Sequence, residues 1–164
     1  MVACIAALVL AGWALDIDVL KSLLHPDRIA MNPATAICLL MCGAALWLVR
    51  HEPPTAAAKH AAQLLGAAVT AVAVARLLGY ALDWQDGIDQ FFFRARLAGN
   101  FMAPNTATTL LLVGLALLVL DDRTPRGDHP AQVLVFAAAG VALFSLAGYL
   151  YSSCLLYTSP SPRD

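Results

Sequence analysis

The stretch Met31–Val49, MNPATAICLLMCGAALWLV, decides the fold because the chain repeats it further along as Met102–Leu120, MAPNTATTLLLVGLALLVL. The two copies share nine identities in nineteen positions, and each continues from its proline to its last residue without a charge. Proline suits the first turn of a helix, where its missing N–H has no intrahelical partner. Uncharged runs of this length reach the lower limit for crossing a bilayer. We predict transmembrane helices that begin at Pro33 and Pro104.

The composition also indicates a membrane protein. Of the 164 residues, 60% are hydrophobic and 13% are charged, and the mean hydropathy is +0.72. Soluble domains carry about 25% charged residues, so this chain could not cover its own surface in water. The net charge of −1 gives no argument for nucleic acid as a partner. We therefore predict an all-α integral membrane protein that has the lipid bilayer as a partner.

A second motif repeats beside the first. Gly12–Asp16, GWALD, recurs later in the chain as Gly79–Asp83, GYALD. The larger repeat is a helix, the Gly-aromatic-Ala-Leu-Asp motif, an interfacial segment, the Met-x-Pro-x-Thr motif and a second helix. Tryptophan and tyrosine are enriched at membrane surfaces, so we expect the aromatic residues to be interfacial anchors, and we expect the threonines to bond within the first helical turn. The residues with predicted structural roles are Trp13, Tyr80, Pro33, Pro104, Thr35 and Thr106.

The chain holds about five predicted spans. They are Val2–Leu15, Pro33–Val49, Ala61–Leu82, Pro104–Leu120 and Ala131–Tyr151. The last ends in Gly148-Tyr149, the start of a third copy, and the first is shorter than a full span. The repeat therefore predicts a six-helix bundle truncated at both ends, with residues 1–151 as the membrane domain. Residues 152–164 are predicted to be an artefactual or disordered tail, since Cys154–Asp164 resembles translated adapter sequence; a genuine Ser/Pro linker is the alternative.

The first and third connections place apolar residues on one side of a short helix, which is typical of a segment lying in the membrane interface. A plain solvated loop is the alternative for the first connection. In the third, we interpret Phe91 and Phe92 as membrane anchors rather than a ligand cage, with Arg94 available to head groups. Lysines and arginines are equally numerous on the two sides, so their count does not decide the orientation. The interfacial segments lead us to place both connections outside the cytoplasm.

Arg76 is the only full charge inside a predicted span, six residues from the predicted helix end. Its head group can reach the membrane surface along its aliphatic stem, because six residues span about 9 Å. The alternative is a buried cation held by an acid from the same side, with Asp16 or Asp83 as the candidates. The candidate signal or lipid contacts are Asp16, Arg76, Asp83, Phe91, Phe92 and Arg94.

Two further patterns concern helix packing. Ala67, Ala71 and Ala75 recur every four residues, which predicts a stripe where another helix approaches closely. Cys38 and Cys42 also lie four apart, and we interpret them as small apolar residues rather than as a ligand pair. The chain shows no phosphate-binding loop, zinc helix or nucleophile elbow, and its spans offer no paired acid and base. We predict no catalytic residue, no metal site and no cofactor.

The segments Gly12–Leu48 and Gly79–Asp121, with their twin motifs, resemble the multi-helix N-terminal membrane domains of bacterial sensor proteins. In those proteins a six-helix domain built from repeats precedes PAS, histidine-kinase or diguanylate-cyclase modules. The resemblance implies a sensory or anchoring input domain in the bacterial inner membrane, dimeric through its parent protein, with the enzyme activity in the parent's output module. It implies no ligand. A small transporter or a structural membrane subunit is the alternative function.

Overall fold

The structure is a computed structural model, and it describes residues 2–15, 17, 31–50, 55–82, 101–120 and 129–158, with side chains up to residue 151. Its helices are α1 Val2–Leu15, α2 Pro33–Leu48, α3 Ala56–Ala81, α4 Pro104–Leu118 and α5 Pro130–Thr158. No strand occurs in the described ranges. The all-α prediction is confirmed for these parts of the chain.

Two helices are long and apolar enough to cross a membrane. These are α3 over Ala56–Ala81, with 26 residues, and the Pro130–Tyr151 part of α5, with 22 residues. Helices α1, α2 and α4 are apolar but shorter, with 14, 16 and 15 residues. Since a span needs about 20 residues, the structure supports two candidate crossings, and five crossings stay a prediction.

Helices α2 and α4 begin at Pro33 and Pro104, where the repeat places their starts. The Asn32 side chain caps α2, because its Oδ1 accepts a hydrogen bond from the Ala34 backbone N–H at 2.9 Å. Ala103 occupies the same position before α4 and offers no side-chain cap. Sequence reasoning did not single out Asn32, although asparagine is a favoured residue at this position.

Helices α3 and α5 extend beyond their predicted ends. Helix α3 begins at Ala56 instead of Ala61, because the Thr55 hydroxyl caps it by accepting from the Ala58 N–H at 3.2 Å. The polar residues just before Ala61 therefore belong to the helix and not to a turn. The backbone of α5 stays helical to Thr158, beyond the predicted end of the span at Tyr151, and the artefactual or disordered nature of residues 152–164 stays a prediction.

Consecutive helices pack against each other along the chain, and α2 also contacts α4. The larger apolar cluster joins α2, α3 and α4, and it includes Cys38 and Cys42. A smaller cluster joins Ala6, Val9 and Trp13 of α1 to Ala36 of α2. Helices α2 to α4 thus form the centre of the described structure, with α1 packed on α2 and α5 packed on α4.

The closest helix crossing lies between α3 and α4. A Cβ atom at Gly66 would lie 2.9 Å from the Leu117 Cβ, and one at Gly114 would lie 3.1 Å from the Gly66 carbonyl oxygen. None of the described helices covers the predicted alanine stripe, since Ala67 and Ala71 are exposed, and close approach of another helix at this stripe stays a prediction. Residues spaced four apart form a stripe on any side of a helix. In α3 the buried stripe is the one beside the alanines, and it contains Gly66.

The two halves of the chain repeat the same helix contact. A Cβ atom at Gly43 of α2 would lie 3.4 Å from the Cβ of Ala3 in α1. The equivalent residues of the second half are Gly114 and Thr70, and these also lie against each other. Helices α1 and α2 therefore form one helix pair and helices α3 and α4 form a second copy of it, and we call these pairs the first unit and the second unit.

Candidate functional site

An aromatic side chain fastens the two helices of each unit at one end. In the first unit, Trp13 Nε1 donates a hydrogen bond to the Met31 carbonyl oxygen at 2.9 Å. In the second unit, the Tyr80 hydroxyl donates to the Met102 carbonyl oxygen. Both aromatic residues come from the Gly-aromatic-Ala-Leu-Asp motif, and both carbonyls stand two residues before a helix-starting proline. The two sequence motifs of the repeat therefore meet in space.

These bonds give the aromatic residues a role inside the protein. Trp13 is only 3% exposed and packs between α1 and α2. Its N–H is satisfied by a backbone carbonyl, and its role as an interfacial anchor stays a prediction. Tyr80 is 42% exposed. Its ring therefore keeps an open side while its hydroxyl joins α3 to the start of α4.

Arg76 lies beside the bond of the second unit. It is four residues before Tyr80, which places the two side chains on one face of α3. The guanidinium Nη2 donates to the Tyr80 hydroxyl at 3.1 Å, and Cζ lies 4.4 Å from the centre of the Tyr80 ring. The Phe101 ring, just before α4, lies 5.0 Å from the same carbon. We call these three residues the Arg76 cluster.

The Arg76 cluster encloses a positive charge. Arg76 is 3% exposed, and its side chain carries a guanidinium cation. A charge can be buried only when surrounding groups replace its hydration. Two aromatic faces and a hydroxyl oxygen supply part of this replacement, and Arg76 has further interactions besides these. The Arg76 side chain is therefore buried in the described structure, and its contact with an acid stays a prediction.

The structure does not describe the other predicted contact residues. Asp16 and Asp83, the candidate acids for Arg76, lie outside the described residues, as do Phe91, Phe92 and Arg94. Thr35 and Thr106 lie in the first turns of α2 and α4. The structure thus brings together Arg76 and Tyr80 from the predicted set.

Phe101 is the member of the cluster that sequence reasoning missed. Its counterpart in the first unit is Ala30, and the counterpart of Arg76 is Val9. The two units therefore differ at both positions where the second unit surrounds a cation. Arg76 and Phe101 are both positions at which the residue types of the two aligned copies differ, and this difference is the sequence signal for them.

The cluster can fix the start of α4 relative to α3, but its three residues offer no catalytic pair. The Tyr80 hydroxyl accepts from Arg76 and donates to the Met102 carbonyl, so it links the cation to the start of α4. A fixed guanidinium group is suited to bind a carboxylate or a phosphate. Across the described ranges, no three His, Cys, Asp or Glu side chains come close enough to hold a metal ion.

A second feature is an open cleft of about 240 Å³ between α2, α4 and α5. Thr35 and Thr106, the threonines of the two Met-x-Pro-x-Thr motifs, both line it. The hydroxyls of Thr109 and Ser145, also in its wall, donate to backbone carbonyls four residues earlier in their own helices. The remaining lining residues are Leu39, Asn105, Leu110 and Ala142.

Comparison with known proteins does not assign a family. No protein-family model matches the chain, and no curated protein or solved structure shows significant similarity to it. The function of the chain is therefore inferred from its residues and their geometry.

Proposed function

We propose that the chain is a membrane-embedded sensory and anchoring input domain of a bacterial signal-transduction protein. In this proposal it crosses the inner membrane several times, and its partners are the bilayer and a second copy in a dimer. A cytoplasmic output module of the histidine-kinase or diguanylate-cyclase type carries the enzyme activity.

The membrane part of the proposal is supported by α5. Its aromatic side chains Phe136 and Phe144 are 78% and 82% exposed, and Leu143 is also exposed. Leaving such a side chain in water forgoes about 1.5–3 kcal/mol relative to burying it. Lipid acyl chains would cover these residues without that loss, so a bilayer is the solvent that fits α5.

The sensory part is supported chiefly by the burial of Arg76 where the Gly-aromatic motif meets the start of α4. Trp13 and Tyr80 lie in the last turns of α1 and α3, and the carbonyls that they bind lie just before α2 and α4. A signal that acts at these helix ends would therefore act next to the bonds that fasten the helices. It shifts the helix packing only as far as it binds one arrangement more tightly than the other.

The proposal is tested with a chimera in which a diguanylate cyclase module follows α5. The chimera is placed in vesicles with different anionic-lipid contents, and cyclic dinucleotide formation is measured. We expect the rate to change with lipid content, and we expect Arg76→Met to reduce that change. The control is Leu64→Met, because Leu64 is 71% exposed and lies away from the cluster on the same helix.

The opposite result identifies a plain membrane anchor. In that case the cyclase rate is the same in all vesicles, is insensitive to Arg76→Met, and equals the rate on an unrelated membrane domain. Circular dichroism of each chimera checks that the helices are retained.

A further inference from the structure

Helix α5 has the sequence of a first helix in a third unit. Residues 60–80 of α3 align with residues 129–149 without a gap, and ten of the 21 positions are identical. The identical residues of α5 are His129, Ala131, Gln132, Leu134, Ala137, Val141, Ala142, Leu146, Gly148 and Tyr149. Each position of α5 from Pro130 to Tyr149 therefore has a counterpart in α3.

The face of α5 that meets the preceding helix is buried like that of α3. Ala62 and Val69 are buried in the cluster formed by α2, α3 and α4. Their counterparts Ala131 and Ala138 are also buried, and among the described helices α5 contacts only α4. The contact between units is thus repeated from α2 and α3 to α4 and α5.

The face of α5 that should meet a following helix is uncovered. In α3 this face contains Gly66 and Thr70, which lie against Gly114. Their counterparts in α5, Val135 and Ala139, are exposed.

A separate contrast lies near the end of the helix, on the side opposite to the counterparts of Gly66 and Thr70. Gly79 of α3 is buried, whereas a Cβ atom at its counterpart Gly148 would meet nothing within 4 Å.

The uncovered face borders the cleft between α2, α4 and α5. Ala142 and Ser145 of α5 form one wall, and Thr35 and Thr106 lie on the others. Ala142 is the counterpart of Ala73, which is fully buried in α3. The vacant side of α5 and the first turns of α2 and α4 thus face a common space.

We infer that this face of α5 is a docking site for one more apolar helix of the α2 and α4 type. Such a helix starts with Met-x-Pro-x-Thr and has a glycine ten residues after its proline, as at Gly43 and Gly114. That glycine would lie against Ala139, as Gly43 lies against Ala3. The Met-x-Pro-x-Thr pattern occurs twice in the 164 residues, at the starts of α2 and α4, and both of these helices are already packed. The occupant is therefore a helix of this type from another polypeptide segment, and this inference does not depend on the sensory role.

The test uses the full chain in detergent micelles, with its four native cysteines replaced by alanine and Ala139→Cys introduced. The probe is a peptide of residues 101–120 that carries Gly114→Cys. A disulfide needs Cβ atoms about 3.5–4.5 Å apart, and the equivalent atoms of Ala3 and Gly43 would be 3.4 Å apart. We expect disulfide formation with the probe and competition by the peptide without cysteine.

The matched control is Gly140→Cys, because residue 140 is next to Ala139 but about 100° further around the helix axis, and its counterpart Ala71 is exposed in α3. Its disulfide with the probe should form about tenfold more slowly, since its Cβ would point away from the docked helix. Equal rates at the two positions, or no reaction at Ala139→Cys in a variant with retained helicity, would overturn the inference. A disulfide between two chains through Ala139→Cys would also overturn the inference if added peptide does not lower its yield. In that case a second copy of α5 would cover the face.

Discussion

The first and second units share a skeleton but differ in what they bury. Both join a small residue to a glycine across the helix pair, and both fasten an aromatic side chain to the carbonyl of a methionine. At one equivalent buried position the first unit has Val9 and the second has Arg76. The shared contacts therefore describe how the unit folds, whereas the difference points to what the second unit does beyond folding.

The groups offered to a cation differ between the two positions. In the second unit, Tyr80 offers a hydroxyl oxygen that accepts a hydrogen bond from Arg76. In the first unit, the indole of Trp13 is a donor only. Phe101 also supplies an aromatic face, whereas its counterpart Ala30 has no ring.

The largest loss of stability is expected when Val9 of the first unit is replaced by arginine, the residue at the equivalent position of the second unit. Val9→Arg places a guanidinium group at a site that is 0% exposed, beside a tryptophan that cannot accept a hydrogen bond. An uncompensated buried charge costs on the order of 3–5 kcal/mol, so we expect that loss in the free energy of unfolding or failure to fold. The measurement is loss of helical circular dichroism during titration of detergent micelles with SDS.

Val9→Met separates the size of the new side chain from its charge. Overpacking by an apolar side chain costs about 1–3 kcal/mol, so Val9→Met should be clearly more stable than Val9→Arg. Equal stability of the two variants would mean that the first unit can also hold a cation.

The next largest effect concerns the glycines of the two helix crossings. A Cβ atom at Gly114 would collide with the Thr70 hydroxyl and lie 3.0 Å from the Thr70 backbone nitrogen, which cannot move aside easily. Gly114→Ala should therefore reduce the free energy of unfolding by about 1–3 kcal/mol. Gly43→Ala, with its nearest contact at 3.4 Å, should be neutral or slightly stabilising, because alanine favours a helix over glycine. Identical effects in both units would show that their crossings are equally close.

The smallest effect concerns the helix starts. Ala103 has φ −61° and ψ 145°, close to the −62° and 132° of the capping residue Asn32. Ala103→Asn should therefore cap α4 and stabilise the chain by about 1 kcal/mol, and Asn32→Ala should destabilise it by a similar amount. If Ala103→Asn leaves the SDS midpoint unchanged, the first turn of α4 does not need a side-chain cap.

The sequence predicts the repeated unit well because both of its motifs are local. Pro33 and Pro104 mark helix starts through the chemistry of proline alone, and the observed helices begin there. The start of α3 was missed because the Thr55 cap lies among polar residues that resemble a turn. The interfacial segments and their phenylalanines lie outside the described residues and stay predictions.

The environment of Arg76 could not be read from its own helix. A position near a helix end permits either extension to the membrane surface or burial, and the choice depends on Phe101, which lies beyond the next connection of the chain. The closest helix crossing was also missed, because an alanine stripe and the glycine stripe beside it have the same spacing. Both features depend on how helices face each other, which a local pattern does not fix.

The central claim is that Arg76 is held as a cation by Tyr80, which distinguishes the second unit from the first. A double-mutant cycle with Arg76→Met, Tyr80→Phe and the double variant tests this through the free energy of unfolding in micelles. We expect the two changes to be coupled by about 1–3 kcal/mol. The equivalent cycle with Val9→Ala and Trp13→Phe should show a smaller coupling, because no polar bond joins those side chains. Effects at Arg76 and Tyr80 that add to within about 0.5 kcal/mol would contradict the account.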